Sequence, residues 1–411
     1  DGVSGDHPVH LRRVDGHALW VNTKALHLAR ITSATSDPPG GKILRDTQGN
    51  PTGVLIDNAM DLVESVLPQP TVAERTESIQ RAVQECLRFG LTEVHDMGVD
   101  LELLAIYKQL IEAGQFPFRV YAAIDGINKT WKHYLTQEPE IGKNAGRLTV
   151  RALKLYADCA LGSRGAALLK PYSDDPKNSG LLLTPIDSLR KATRDAFDRG
   201  YQVCIHAIGD KANRSVLDIY EEVLKSGALK AKDARFRVEH AQVVSGQDIP
   251  RFARLGVLPM MQQTHCTSDM YWAEQRVGPE RIKGAYAWRS MMNAGSMVPG
   301  GSDFPVENAN PLLGFYAAIT RQDVKSFPEG GWHPEQKMTR EEALKSFTIW
   351  AAYAAFEETQ RGSLEQGKLA DIVVLSNDVM VCTPEEILDT KVEYTIVAGK
   401  IVYASNGENY A

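Results

Sequence analysis

The chain has 411 residues, of which 43% are hydrophobic and 24% are charged, and its formal net charge is −6. These are ordinary values for a globular protein, and a single barrel with insertions also reaches this length. Acidic and basic residues are mixed along the chain without a basic stripe, which argues against nucleic acid as a partner. No apolar run approaches the roughly 20 residues of a membrane span, so no membrane partner is expected.

The cysteines are odd in number and widely spaced, and no two of them form a Cys-x-x-Cys pair. This pattern predicts neither a disulfide framework nor a thiolate zinc site. A reducing compartment fits such a pattern best, and we therefore expect a cytoplasmic protein. The five residues are Cys86, Cys159, Cys204, Cys266 and Cys382.

Residues 1–72 combine short β-like pieces with two turn-rich runs, Pro38–Gly41 and Asp46–Gly53. Gly, Pro and Asn in such runs make tight turns, so this part predicts a β-hairpin-bearing insertion near the active site. A helix then follows. Thr71 is its expected N-cap, Glu74 lies three residues on, and the helix is expected to end before Gly90.

Residues 73–361 alternate between helix-like and strand-like segments. Short β-rich runs separated by amphipathic helices are typical of parallel βα units, so this part predicts a (β/α)8 TIM barrel. Nothing before residue 73 supplies the first strand in a suitable form, which leaves seven. The strand candidates are Leu91–Met97, Phe118–Ile124, Val150–Ala157, Tyr201–Ala207, Phe236–Ala241, Val257–Gln262 and Met297–Asp303.

After a predicted helix over Arg340–Phe356, residues 362–411 return to alternating strand patterns. Ala370–Leu375 and Tyr394–Tyr403 are the clearest of these runs, with period-two hydrophobicity. We interpret residues 362–411 as the C-terminal part of a small β-sandwich domain packed on the barrel.

Polar residues stand at the ends of several predicted barrel strands, where the βα loops converge and active sites form. Lys154 lies on strand four, His206 ends strand five, His240 ends strand six and Asp303 ends strand eight, while His95 lies on strand two. A single strand-end histidine is usually structural. A buried lysine and aspartate are costly without partners, however, so the set at corresponding strand ends predicts a functional site.

Two imidazoles and a carboxylate are good ligands for zinc or a similar divalent metal. A lysine ammonium is not a ligand, but its reaction with carbon dioxide gives a carbamate that bridges two metals as a carboxylate does. That reaction needs Lys154 deprotonated, which burial beside cations favours. We expect one or two divalent ions, with zinc as first choice and a carbamate on Lys154 as an option.

Several segments occur in the order typical of one known family. The chain resembles the amidohydrolase superfamily and, within it, the branch called amidohydrolase family 3 or YtcJ-like, over essentially its whole length. The segments that carry the resemblance are Asp15–Asn22, Leu153–Leu168, His206–Ala212, Val238–Gln242, Gly301–Val306 and Gly362–Leu375.

The resemblance implies a role for each strand-end residue. Lys154 would be the carboxylated lysine that bridges two metals, and His206 and His240 would bind one of them. Asp303 would bind the other and act as general acid and base toward a metal-activated water. The implied reaction is hydrolysis of carbon–nitrogen bonds other than peptide bonds, as in amides, formamides or cyclic amides, with a small molecule as substrate.

One departure from the family pattern is large. The first barrel strand of the family ends in His-x-His, and the sequence contains no such motif. We expect that this strand was lost or omitted, and that any ion lies by His206 and His240. Unpaired edges at strands two and eight would then favour aggregation or a homodimer, with little activity.

Four further residues are candidates for substrate binding, namely His17, His95, Arg164 and His265. Each has a structural alternative, which is a hydrogen bond within the insertion for His17 and support of the barrel for His95.

Two other functions compete with the metal-dependent hydrolase. A Schiff-base barrel enzyme would use Lys154 as nucleophile, although two strand-end histidines favour a metal. The other is a non-catalytic binding or regulatory protein, or an inactive fragment. Specificity lies in loops whose chemistry has no simple code, so the sequence does not name the substrate.

Overall fold

A computed structural model describes residues 1–227 and 233–407. Its first part is an antiparallel sheet of four strands in the order β1-β2-β4-β3, with two short helices beside it. Leu19, Leu55 and Val63 belong to a separate small core beneath this sheet. These elements are β1 (His10–Arg12), β2 (Ala18–Val21), α1 (Thr23–Leu28), β3 (Gly41–Arg45), β4 (Pro51–Asp57) and α2 (Asp61–Glu64).

The next part alternates between helices and strands. Its strands are β5 (Glu93–Val99), β6 (Arg119–Asp125), β7 (Glu140–Gly142), β8 (Leu148–Tyr156), β9 (Gln202–Ala207), β10 (Arg237–His240), β11 (Leu258–Gln262) and β12 (Gly300–Gly301). Its helices are α3 (Val72–Arg88), α4 (Leu101–Glu112), α5 (Lys129–Tyr134), α6 (Lys143–Gly146), α7 (Ile186–Asp198), α8 (Asp210–Ser226), α9 (Ile249–Leu255), α10 (Gln263–Asp269), α11 (Ala273–Arg281), α12 (Trp288–Asn293), α13 (Pro311–Thr320), α14 (Arg340–Phe347) and α15 (Ile349–Ala354). In the described ranges, none of the helices is both long and apolar enough to cross a membrane.

Seven strands pair in parallel, in the order β5-β6-β8-β9-β10-β11-β12, and β7 pairs antiparallel with β8 at one side. The sheet is strongly curled. Arg237 on β10 lies 3.1 Å from His95 on β5, measured between Nη1 and Nδ1. A flat sheet would separate strands four steps apart by about 19 Å. The contact crosses the interior, so the sheet has the curvature of a TIM-like barrel, as the sequence predicts.

β5 and β12 are the outer strands of this curled sheet. Both line one cavity of about 380 Å³, together with side chains of α3, α13 and α14. Over residues 1–227 and 233–407, no strand pairs with the free edges of β5 and β12. The cavity therefore occupies the part of the wall where an eighth strand would close a barrel.

The outward faces of the parallel strands pack against the helices and form the main core. Val150, Val203 and Val238 come from three neighbouring strands and are fully buried there. The predicted helix start at Thr71 is confirmed, because Thr71 and Glu74 form a reciprocal capping box.

Two predicted elements were wrong in extent. The last barrel strand is β12, with two residues, rather than Met297–Asp303; a side chain at Gly300 would lie 2.7 Å from Ser346 Oγ, and Asp303 has a φ of +58°. The predicted helix Arg340–Phe356 is two helices, α14 and α15, divided at Thr348. Thr348 has a φ of −128° and a ψ of −98°, outside the helical range, and its hydroxyl donates to the Leu344 carbonyl at 2.7 Å.

The C-terminal part is a three-stranded antiparallel sheet in the order β13-β14-β15, formed by β13 (Ile372–Leu375), β14 (Val392–Val397) and β15 (Lys400–Ala404), with α16 (Pro384–Asp389). The Thr395 hydroxyl donates to the Leu87 carbonyl of α3 at 2.6 Å, so the sheet packs on the barrel. The described strands make one sheet at this end, and the β-sandwich stays a prediction.

A buried ion pair ties this sheet to the barrel. Asp371 accepts from Arg119 Nε at 2.7 Å and from Arg119 Nη2 at 3.1 Å. Burial acts to raise the pKa of Asp371, but hydrogen bonds from Arg119 and from the Ala398 N–H outweigh it, and the pKa lies below its ordinary value. The carboxylate therefore stabilises the folded chain above pH 3.8, its ordinary pKa, and this contribution is lost as the pH falls through the lower folded-state value.

Asp371→Asn is expected to destabilise the fold by about 3–5 kcal/mol at neutral pH, because it leaves the buried Arg119 guanidinium without its charge partner. Urea denaturation followed by circular dichroism measures the change. Asp195→Asn is the matched control, since it removes an exposed pair with Lys191 on α7 that contributes about 0.3–0.5 kcal/mol. Equal midpoints for the two variants would contradict the anchoring role of Asp371.

Candidate metal centre and substrate cavity

Lys154 and His206 lie on adjacent strands with their side chains inside the curled sheet. Lys154 pairs in register with Cys204, and Tyr156 pairs with His206. Because side chains alternate between the faces of a strand, Lys154 and His206 share the inner face with Cys204 and Tyr156. Lys154 and His206 are 5% and 3% exposed. The Lys154 Nζ lies 4.9 Å from the centre of the Tyr156 ring.

His240 reaches the same place through a change in backbone direction. Arg237 Nε donates a hydrogen bond to Glu239 Oε1 at 2.8 Å, and Arg237 also contacts His95 across the barrel, so both side chains of β10 point to the interior. Because side chains alternate along a strand, His240 would then point away from the interior if β10 were regular. His240 instead has a φ of +73°, which is uncommon for a residue with a side chain. Its ring centre then lies 4.6 Å from that of His206.

His265 and Asp303 complete a continuous cluster with these two histidines. The rings of His240 and His265 are stacked with their centres 5.9 Å apart. The Nε2 of His265 lies 3.9 Å from Oδ2 of Asp303. One ligand atom from each of His240, His265 and Asp303 lies within 4.8 Å of the other two. Asp303, like His240, has a positive φ, of +58°, and such strained residues concentrate at functional sites.

The two buried strand-end imidazoles are neutral at physiological pH. Burial, with a smaller effect of the neighbouring His240, lowers the pKa of His206 well below its ordinary value. Burial also lowers the pKa of His240, to about 4. Nδ1 of His240 lies 2.8 Å from the Gln262 side-chain oxygen, which only accepts hydrogen bonds. His240 therefore carries its proton on Nδ1, which leaves the lone pair on Nε2. Metal-binding histidines are commonly held in this way, with one ring nitrogen donating to a protein oxygen and the other facing the metal.

The donor atoms fit a divalent cation. Nε2 of His206 and Nε2 of His265 are both buried and have no hydrogen-bond partner among the described residues. Buried polar atoms are almost always satisfied, so the orphaned Nε2 of His265, in one cluster with His240 and Asp303, calls for an additional partner. Nε2 of His206 lies instead 3.7 Å from Oδ1 of the buried Asp158. Nitrogen donors with one carboxylate match the preferences of zinc and similar ions.

His17 joins the cluster from the four-stranded sheet. Its Nδ1 lies 2.7 Å from Oδ1 of Asp57, and its ring centre lies 5.4 Å from that of His206. Asp57 is buried and ends β4 with a φ of +50°. One of its carboxylate oxygens lies within 4.8 Å of the Cys159 Sγ. Burial, followed by the charge of Asp57, raises the pKa of the Cys159 thiol, which stays protonated.

Sequence reasoning missed Asp57 and Gln262. Asp57 follows the apolar run Val54–Ile56 at a strand end, which is the same signal that identified the barrel residues. Gln262 ends β11 and had no such distinguishing chemistry in the sequence.

The other two substrate-binding candidates lie farther from the cluster. His95 is deep in the barrel, next to Arg237 and with its ring 5.2 Å from that of Tyr121, although it lines the same cavity. Burial lowers the pKa of His95 well below its ordinary value. Arg164 donates to both oxygens of Asp174, at 3.1 and 2.9 Å, and is absent from the cavity lining. A substrate role for either residue stays a prediction.

The cavity between β5 and β12 opens directly onto the candidate centre. Lys154, His240 and Asp303 line it, as do Gln262 and Thr264. The cavity measures about 380 Å³, and that volume includes the gap between β5 and β12 that an eighth strand would fill. The cluster and the cavity together form one candidate active site at the carboxyl ends of the parallel strands.

A curled parallel α/β sheet with histidines, a lysine and an aspartate at its carboxyl ends defines a barrel protein of the hydrolase class. The chain belongs to the amidohydrolase family, whose sequence profile matches residues 1–403.

The most informative relatives agree with this assignment. The chain is 32% identical to "Putative amidohydrolase YtcJ" of Bacillus subtilis (strain 168), over 98% of this chain and 75% of that protein. It is 28% identical to "N-substituted formamide deformylase" of Arthrobacter pascens, over 99% of this chain and 75% of that protein. The crystal structure of an uncharacterized metal-dependent hydrolase from Pyrococcus horikoshii OT3 superposes with a TM-score of 0.76 at 29% identity, covering 92% of this chain and 73% of that one.

Proposed function

We propose that the protein is a metal-dependent hydrolase that cleaves carbon–nitrogen bonds other than peptide bonds in small amides, formamides or cyclic amides. The observation that carries the proposal is the cluster of His240, His265 and Asp303 beside His206, in which Nε2 of His265 is buried without a hydrogen-bond partner among the described residues while His240 and Asp303 line the cavity. The names of the relatives, a formamide deformylase and a metal-dependent hydrolase, support the same reaction class.

Lys154, His206, His240 and Asp303 would hold one or two divalent ions, zinc in the first place, with Lys154 as a carbamate. When bound, such an ion polarises a carbonyl oxygen and makes water acidic enough to attack near neutral pH. Asp303 has a side chain 39% exposed at the cavity, so it can meet substrate and solvent. Its carboxylate would accept a proton from the attacking water and return it to the leaving nitrogen.

His17, His95 and Arg164 are proposed as substrate contacts, and His17 has the best geometry among them. For His265, the fourth candidate, the geometry favours a cation ligand over a substrate contact. Asp57 accepts a hydrogen bond from His17 Nδ1, which directs the opposite edge of the ring away from the insertion. All five cysteines are free, which agrees with a cytoplasmic location as proposed.

Asp57→Asn is expected to lower kcat/KM on the order of 10- to 100-fold, the value of one to three kcal/mol for a lost charge-assisted hydrogen bond. His17→Gln should lower it by a similar factor, and the double variant should lose little more, because the two side chains act as one unit. Steady-state kinetics on the best amide substrate measures this. Additive losses in the double variant would show that Asp57 does not act through His17.

The direct test of the proposed function combines elemental analysis of the purified protein with a panel of formamides, N-acyl amino acids and cyclic amides. We expect a divalent metal and turnover that a chelator removes. Turnover without metal, together with covalent trapping of substrate on Lys154 by borohydride, would favour the Schiff-base alternative. Metal-free protein without turnover would favour a non-catalytic role.

A further inference from the structure

We infer that His265 is a protein ligand for a divalent cation, forming with His240 and Asp303 a three-residue site on the β10–β12 side of the cavity. The inference rests on the proposed function, because it assigns a ligand within the same centre. The motifs of the resemblance supply no ligand after the seventh barrel strand, so His265 extends that pattern.

The three residues come from consecutive strand ends. His240 is the last residue of β10, His265 lies in the first turn of α10 directly after β11, and Asp303 follows β12. The carboxyl ends of adjacent parallel strands meet at the same rim, which explains how residues 63 positions apart converge. His265 is also fixed by its surroundings, because Gln263, Thr264 and Cys266 beside it are buried.

Each residue offers a donor atom that has no hydrogen-bond partner within residues 1–227 and 233–407. The Gln262 oxygen occupies Nδ1 of His240 and leaves its Nε2 free. Nε2 of His265 is buried without a hydrogen-bond partner among the described residues. Oδ2 of Asp303 lies 3.9 Å from that nitrogen, which is too long for a hydrogen bond.

The spacing suits an ion between the donors. Zinc–ligand bonds of 2.0–2.1 Å place the ligands of a tetrahedral site about 3.3 Å apart. Closing 3.9 Å to that distance needs a small movement of Asp303, whose partly exposed side chain has room to make it. Two imidazole nitrogens and one carboxylate form a donor set that zinc and similar divalent cations prefer. Three protein ligands and an open position make a catalytic-type site.

This assignment changes the expected ligand count on the Asp303 side. Without a His-x-His motif in the sequence, that side would have only Lys154 and Asp303. His265 and His240 are two further donors on that side, beside Lys154 and Asp303. His240 then stands between two groups, His265 with Asp303 on one side and His206 with Lys154 on the other.

The test is titration of the demetallated full chain with Co²⁺ alone, followed by visible absorption. His265→Ala is expected to weaken Co²⁺ binding at least tenfold and to change the spectrum of the remaining complex. His133→Ala is the matched control, because His133 is exposed on α5 and should leave both unchanged. His265→Asp should recover part of the affinity, since a carboxylate binds the ion and a merely packed side chain does not. His265→Leu replaces the alanine variant if circular dichroism shows that the latter is unfolded.

The outcomes separate this inference from the proposed function. If the parent chain binds no Co²⁺, both are overturned. If the parent binds Co²⁺ and His265→Ala binds it with the same affinity and spectrum, only the assignment of His265 is overturned. Loss of binding in His265→Ala with recovery in His265→Asp supports it.

Discussion

Asp303→Asn is expected to reduce kcat on the order of 10²- to 10⁴-fold, the usual contribution of a positioned general acid–base group. The amide keeps an oxygen that can bind a cation but cannot accept a proton from water. Metal content should therefore stay close to that of the parent chain while turnover is lost. Elemental analysis and steady-state kinetics on the same preparations measure the two effects separately.

The control for this variant is Asp6→Asn, which removes an exposed carboxylate that pairs with Lys24. Its kinetics should match those of the parent. A kcat near the parent value in Asp303→Asn would remove Asp303 from the proton transfer. Loss of metal together with activity would instead make Asp303 essential as a ligand.

Local patterns in the sequence predict the barrel elements well, because their causes are local. Thr71 and Glu74 satisfy each other across one helical turn, and that capping box is confirmed. The apolar run around Val203 predicts a buried strand because both of its faces are covered. The curvature of the sheet is consistent with the predicted barrel.

The two errors of extent lie at positions that a hydrophobic pattern does not mark. β12 pairs with β11 only at Gly300 and Gly301, and a side chain at Gly300 would meet Ser346, 46 residues away. The break at Thr348 is a change of backbone angles, to a φ of −128° and a ψ of −98°. Neither feature has a signature in a hydrophobic pattern, so the sequence predicted longer elements than the structure contains.

The candidate site follows the same rule. Lys154, His206, His240 and Asp303 could be predicted because strand ends of a parallel barrel share one rim. Asp57, by contrast, lies outside the barrel sheet and pairs with a histidine 40 residues away across the four-stranded antiparallel sheet. The backbone turn that brings His240 to His206 depends on a positive φ, which the residue type does not reveal. The sequence predicts which residues stand at strand ends. It does not predict which side chains form hydrogen bonds with them or in which direction they point.

His240→Ala and His206→Ala should both lower the metal content sharply, but to different degrees. Binding free energies of about 10–16 kcal/mol for four-ligand zinc sites amount to roughly 3 kcal/mol per ligand, or about 10²-fold in affinity. His240 is in ring contact with both His206 and His265, so its loss should weaken every ion in the cluster. His206→Ala leaves His240, His265 and Asp303 intact, and we expect it to retain one weakly held ion if the parent holds two.

Metal-to-protein ratios after equilibrium dialysis measure this difference, with His133→Ala as the exposed-histidine control. Circular dichroism should show an unchanged fold, because the core of a barrel is independent of the residues at its rim. Parent-like metal content in both variants would refute the ligand assignment. Complete loss of metal in His206→Ala but not in His240→Ala would place the tighter ion beside His206 and away from Asp303. In that case His206 would be the ligand on which binding of this ion depends.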